Sequence, residues 1–271
     1  MKIFKNKEQL RSVICNKKSI SFIPTMGGLH KGHISLIKTA QKYTNQTLVS
    51  IYVNPKQFNK KEDYKKYPRN LAKDLKILKK LRVKYLYLPK YKDLYNFKPS
   101  HKIYSHKFSK QLCGKFRKGH FKGVLDVINR FLAIIHPKYL FLGLKDFQQL
   151  TLIKKHILKN NIGTKIISCK TIRESNGIAC SSRNFNINKK QIKIAIDVYN
   201  YLIKIKKKTK KNFKLFNRSL FKKDLIKLGV KKIDYLEIIN KERLQKPKKL
   251  NETFNIFIAY YLNEIRLIDN I

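Results

Sequence analysis

The run Pro24-Thr25-Met26-Gly27-Gly28-Leu29-His30-Lys31-Gly32-His33 sets glycines beside two imidazoles three residues apart. It follows the apolar stretch Ser19-Ile20-Ser21-Phe22-Ile23, so a short strand is expected to enter a glycine turn and then a helix. That order suits phosphate chemistry. Glycines let main-chain N–H groups approach an anion, and a helix N-terminus adds free donors and the positive end of its dipole. Residues at i and i+3 share a helix face, so His30 and His33 can address one triphosphate. The spacing also fits two zinc ligands, or a plain turn with surface histidines. Zinc needs a third and usually a fourth ligand, and His101, His106, His120, His136 and His156 are scattered along the chain.

Three further segments carry chemical groups. Asn54-Pro55-Lys56-Gln57-Phe58 ends an expected strand and brings two side-chain amides suited to a polar or carboxylate group. Gly143-Leu144-Lys145-Asp146-Phe147-Gln148-Gln149 follows another strand and opens a helix. Lys145 can neutralise phosphate as a compact charge, and Gln149 shares a face with Asp146. Asp146 can hold a magnesium ion or simply cap its helix. Ser181-Ser182-Arg183-Asn184 gathers two hydroxyls and a guanidinium that suit a phosphate tail.

These segments need a scaffold that places them on one edge. Leu48 to Val53 reads as a buried strand and Val83 to Leu88 as another. Between them a helix is expected from about Tyr67, with Leu71, Leu75, Leu78 and Leu81 as its stripe and Pro68 in its first turn. From Pro89 to Phe116 the pattern is irregular, with a strand expected around Ile103. Phe121, Val124, Leu125, Ile128, Phe131, Leu132 and Ile135 define the clearest helix, stopped by His136-Pro137. A strand Tyr139 to Leu142, a helix Lys145 to about Lys159 and a strand Lys165 to Cys169 follow. Strands alternating with helices imply an α/β parallel sheet, whose ligands sit at the strands' carboxyl ends. After about Arg173 the texture changes. A lysine-rich helix Asn188 to Lys211 and a second helix to about Leu228 precede strands Ile233 to Ile239, Phe254 to Leu262 and Ile265 to Ile268. The expectation is a Rossmann-like domain over 1–172 and a smaller α+β domain over 173–271.

The net charge of +47 ordinarily suggests nucleic acid or an anionic membrane. Here the lysines spread along the whole chain instead of forming one basic helix or arm, and arginine, the better residue for bidentate phosphate contacts, is scarce. Abundant Lys, Asn, Ile and Tyr match A+T-rich codon usage, so the charge is read as compositional; lysines gathered on one face would reverse that. No nucleic-acid or membrane partner is expected. The N-terminus lacks a secretory pattern, the apolar block Phe254 to Leu262 is too short to span a bilayer, and the four cysteines have no disulfide or metal spacing. A soluble cytoplasmic protein is expected.

With these residues in hand, the chain resembles the pantoate–β-alanine ligases, adenylate-forming enzymes with an HxGH signature and a nucleotide domain akin to class I aminoacyl-tRNA synthetases. The stretches PTMGGLHKGH, SIYVNPKQF, YPRNLAKDL, RKGHFKGV, GLKDFQQL, IRESNGIACSSRN and RLIDN occur in the family's order from Phe22 to Asn270. The resemblance implies ATP-dependent condensation of pantoate with β-alanine through a pantoyl adenylate, Mg²⁺ beside the ATP, and a homodimer. It implies that Met26, Gly27, Gly28, Leu29, His30, Lys31, Gly32 and His33 line the ATP site, with His33 the catalytic proton donor and His30 and Lys145 acting beside it. Gly143, Leu144, Lys145 and Asp146 match the nucleotide loop, Ile172 the backbone contact to adenine, and Cys180, Ser181, Ser182 and Arg183 a loop that closes over phosphate, carried by the C-terminal part as a lid. Gln57 and Gln149 match the glutamines that hold pantoate, with Gln57 also near β-alanine. Leu144 stands where the family usually has glutamate, Lys118 where it has proline, and Cys180 where it has leucine or methionine. None of these removes a group the chemistry requires.

Overall fold

The computed structural model describes residues 1–17, 19–250 and 252–271. Contacts divide the chain into two units, Met1–Ile172 and Arg173–Ile271. The first opens with β1 (Lys2–Phe4) and α1 (Lys7–Ile14), neither of which the periodicity reveals. It continues with β2 (Ser21–Thr25), α2 (Lys31–Gln41), β3 (Thr47–Ile51), α3 (Lys61–Lys65), α4 (Leu71–Lys80), β4 (Tyr85–Tyr87), α5 (Tyr91–Tyr95), α6 (Leu112–Phe116), α7 (His120–Ile135), β5 (Tyr139–Gly143), α8 (Phe147–Lys159) and β6 (Lys165–Cys169).

The six strands form a parallel sheet in the order β1-β4-β3-β2-β5-β6. Alternate side chains serve its two faces. Ile23, Val49, Leu86 and Phe141 face a core with Leu29, Ile37, Ala40 and Leu78, while Phe22 packs its ring 5.4 Å from Phe131 of α7. From β2 the chain winds outward through β3 and β4, then returns to wind the other way through β5 and β6. The switch point of the sheet therefore lies between β2 and β5. These two strands pair only at Ser21↔Tyr139 and Phe22↔Leu140, whereas β2 pairs with β3 from Ser21 through Thr25. Their carboxyl ends part, and that crevice positions the site.

Several boundaries differ from the periodicity. The helix expected from Tyr67 begins at Leu71, because Asn70 caps it by accepting from the Lys73 N–H at 2.9 Å. Leu71 is exposed, and the inward row of α4 is Asp74 and Leu78. No strand forms at Ile103; that stretch is held by Asn129 donating to the His101 carbonyl and the Tyr104 N–H donating to His156 Nδ1. The helix expected from Lys145 starts at Phe147, and residues 144–146 form a 3₁₀ turn instead.

The second unit holds α9 (Lys189–Thr209), α10 (Arg218–Lys227), β7 (Lys232–Ile239), β8 (Asn255–Leu262) and β9 (Ile265–Asn270). The strands form an antiparallel sheet in the order β7-β8-β9. Ala195, Val198 and Leu202 of α9 and Phe221 and Leu225 of α10 share a core with Leu236, Ile256 and Ile258. Helices followed by strands, without alternation, make this the smaller α+β part. Its first residue, Arg173, is tied down by a bidentate pair with Asp269 at 2.7 and 2.9 Å.

Candidate active site

Three connections meet the sheet's carboxyl edge at the switch point: residues 26–30 after β2, a 3₁₀ turn Pro55–Gln57 after β3, and the turn 144–146 after β5. In the first, Gly27 and Gly28 both have positive φ, +76° and +60°, which glycine adopts without penalty. A Cβ on Gly27 would also lie 3.0 Å from Asp74 Oδ2 and 3.1 Å from Ile51 Cγ2. The sequence offers these amides to phosphate, yet the fold gives two of them to a side chain. Gly28 N–H donates to Asp74 Oδ2 at 2.9 Å and Leu29 N–H to Asp74 Oδ1 at 2.8 Å.

His30 caps α2 and His33 occupies its third position, forming a capping box in which both partners are histidine. Gly32 N–H donates to His30 Nδ1 at 3.1 Å, and His30 N–H donates to His33 Nδ1 at 3.4 Å. An Nδ1 that accepts carries no proton, so the neutral rings hold theirs on Nε2. The rings lie 4.1 Å apart. Burial first, then the neighbouring His30 and Lys145, hold His33 well below the usual histidine range. His33 is therefore a neutral N–H donor at neutral pH, and the influence of Lys145 on it joins the β2 and β5 loops electrostatically.

The β3 turn is clamped from α7. Asn54 is 1% exposed and fully engaged. Its Oδ1 accepts from Lys56 N–H and the Tyr95 hydroxyl, and its Nδ2 donates to Gly123 O at 3.1 Å. The sequence marks Asn54 as a ligand group; the structure makes it a brace. His120 Nδ1 lies 2.7 Å from the Gln57 carbonyl, which Arg117 Nη2 also reaches at 3.3 Å, while Arg117 Nη1 contacts His120 Nε2 at 3.0 Å. His120 thus donates from Nδ1 and accepts at Nε2. Gly123 lets the turn sit against α7: a Cβ there would lie 2.2 Å from Lys56 O. So braced, Gln57 directs its side-chain N–H to Met26 Sδ, linking the β3 turn to the β2 loop.

In the β5 turn, Gly143 has φ −82° and nothing lies within 4 Å of where its Cβ would be, so this glycine leaves room at the crevice. Asp146 makes no cap bond to α8. Its Oδ1 instead lies 3.6 Å from Lys145 Nζ. Gln148 is buried and braces the segment before α7, donating to Phe108 O and Gln111 O at 2.7 Å and accepting from Cys113 N–H at 3.0 Å. Gln149, beside it, is half-buried. In the second unit Ser181 Oγ caps a 3₁₀ turn by accepting from Arg183 N–H at 3.3 Å, Ser182 is buried, and the Cys180 thiol donates to Glu174 Oε1 at 3.2 Å. Ile172 closes the first unit.

Sequence reasoning missed the bracing residues Asp74, Arg117, His120 and Gln148. The signal for Asp74 was present: it is an acid in the inward row of an amphipathic helix. Among the described residues, no three His, Cys, Asp or Glu side chains gather as metal ligands, and no helix is long and apolar enough to cross a membrane.

A family model described as pantoate-beta-alanine ligase matches residues 2–271. The pantothenate synthetase of Thermosipho africanus is 36% identical over 99% of this chain and 97% of its own, and that of Flavobacterium psychrophilum 39% over 98% and 95%. A crystal structure of pantoate-beta-alanine ligase from Francisella tularensis, complexed with beta-gamma ATP and beta-alanine, superposes with a TM-score of 0.85 at 37% identity, covering 100% of this chain and 97% of that one. Pantothenate synthetase from Thermus thermophilus gives a TM-score of 0.89 at 28% identity, covering 100% and 99%.

Proposed function

The chain belongs to the pantoate–β-alanine ligase family, and from that membership we propose that it condenses pantoate with β-alanine, converting ATP to AMP and pyrophosphate. A pantoate carboxylate oxygen attacks the α-phosphorus, the bond to pyrophosphate breaks, and pantoyl adenylate forms. The β-alanine amine then attacks the acyl carbon, loses a proton and expels AMP. No protein nucleophile is required, because the mixed anhydride is already activated. The protein's part is positioning and charge stabilisation.

The observation that carries this reading is the parting of β2 from β5 at the switch point, with the β2, β3 and β5 loops at that edge. The Nε2–H groups of His30 and His33 are proposed to donate hydrogen bonds to phosphate oxygens as neutral dipoles, with His33 a hydrogen-bond donor that keeps its proton, so Lys145 supplies the formal charge. Met26 through His33 line the nucleotide, with Gly143, Leu144, Lys145 and Asp146 opposite and the Ile172 backbone at adenine. Gln57 and Gln149 hold pantoate, Gln57 next to β-alanine. Cys180, Ser181, Ser182 and Arg183 take the phosphate tail, and the second unit acts as a lid that shields the adenylate from water. Mg²⁺ fits as an ion carried by the nucleotide: the turn offers the single carboxylate of Asp146, which would hold it beside the phosphates, where it would neutralise charge.

A homodimer in the cytoplasm completes the proposal. Light scattering on the purified protein tests the first, and the four cysteines carried as thiols support the second. The activity itself is tested by coupled detection of AMP. Release that requires pantoate and β-alanine together supports the function, and release with either alone contradicts it.

A further inference from the structure

The glycine turn after β2 has the consecutive positive-φ residues and inward-pointing amides of an anion nest, but an internal carboxylate occupies it. We propose that Asp74 is a positioning residue for the histidine pair, standing in the turn as a built-in anion and so fixing where α2 begins and where both imidazoles point. The inference rests on the roles assigned above to His30 and His33.

The geometry is specific. The two carboxylate oxygens each take one N–H, from Gly28 and Leu29, across 46 and 45 residues of sequence. Leu29 directly precedes the cap residue His30, and its side chain is 2% exposed in the same core as Leu78, one turn along α4 from Asp74. Between this anchored residue and α2 there is no slack. Two further donors near the start of α2 are also committed, since Gly32 N–H goes to His30 Nδ1 and His30 N–H to His33 Nδ1. Phosphate is therefore met by imidazole Nε2–H groups and not by the Gly28 and Leu29 amides. Asp74 is itself 2% exposed. Burial raises its pKa above the usual carboxylate value, and the two main-chain bonds and the neighbouring Lys73 offset only part of that shift. Asparagine would keep the shape but turn an NH₂ toward one of the two N–H donors.

The test uses the full-length protein and two readouts. Imidazole ¹⁵N shifts in the wild type are expected to show both rings as single Nε2–H tautomers. Asp74→Asn is expected to give mixed tautomers and to lower the turnover of pantoate-dependent ATP–pyrophosphate exchange at least about tenfold, with the pantoate KM within about twofold. A structural defect elsewhere would not move the tautomers. Asp74→Asn with single tautomers and wild-type turnover would overturn the inference. If that variant does not fold, hydrogen exchange in the wild type decides: Gly28 and Leu29 amides as protected as core strands support it, and rapid exchange overturns it. A wild type that shows single tautomers but no exchange activity would refute the proposed function and leave the role of Asp74 standing.

Discussion

His30 and His33 cap the same helix end reciprocally, each ring accepting a main-chain N–H at Nδ1. Helix capping uses Nδ1 of each ring, and the catalytic roles proposed above would use Nε2. A substitution that keeps an acceptor where Nδ1 sits separates the two roles.

His33→Asn should preserve the cap and lose the outward donor. Adenylate formation is expected to fall about a hundredfold, on the order of 3 kcal/mol of transition-state stabilisation, while the melting temperature changes little. His33→Ala should lose the cap as well, costing about 1 kcal/mol of stability in addition. Lys145→Ala should match the asparagine variant in rate, since it removes the charge. Single-turnover adenylate formation with thermal melts checks all three, and near-normal turnover in His33→Asn and Lys145→Ala would remove those roles.

Gln57→Ala is expected to act on substrate capture. The pantoate KM should rise about tenfold or more with little change in the ATP KM, as when a substrate hydrogen bond is lost. Initial-rate kinetics decide it, and an unchanged pantoate KM would discard the assignment.

Gly123→Ala tests the clamp beneath that turn. The added methyl would lie 2.2 Å from Lys56 O and 2.8 Å from Gln57 N, both main-chain atoms. Overpacking of this kind costs about 1–3 kcal/mol, and the displaced turn should also raise the pantoate KM. Denaturant melts showing wild-type stability would mean that the turn yields freely.

Acid should destabilise the fold through buried neutral histidines. His156 is fully buried, and burial with the nearby His101 lowers its pKa to about 4; its Nδ1 accepts from Tyr104 N–H. Because the folded pKa lies below the unfolded one, the unfolded chain binds the extra proton first. Stability is whole above about pH 6.5 and declines as pH falls toward 4, by about 3 kcal/mol for this group. His33, lowered in the same direction, adds to the slope. His156→Gln should flatten the pH dependence of stability measured by urea unfolding, and an unchanged slope would contradict the assignment.

Much of this was readable from residue types, and the exceptions share a cause. The β2 loop, the Pro55–Gln57 turn and the β5 turn were legible because each is an apolar run broken by glycine, proline or asparagine. The long helix α7 announced its periodicity over four turns. β1 did not, since three residues of edge strand carry no pattern, and Pro68 misled because the capping Asn70 and not the proline decides where α4 starts. The braces were hidden for a different reason. Asp74, His120 and Gln148 act on main-chain atoms between 35 and 63 residues away, a relation that no local spacing encodes.

The measurement that bears most directly on the account is exchange of labelled pyrophosphate into ATP with pantoate present and β-alanine absent. If an acyl-adenylate forms at the β2–β5 crevice, label enters ATP without the amine and vanishes when pantoate is omitted. Exchange that needs β-alanine, or that proceeds without pantoate, would contradict the two-step reaction proposed for this chain.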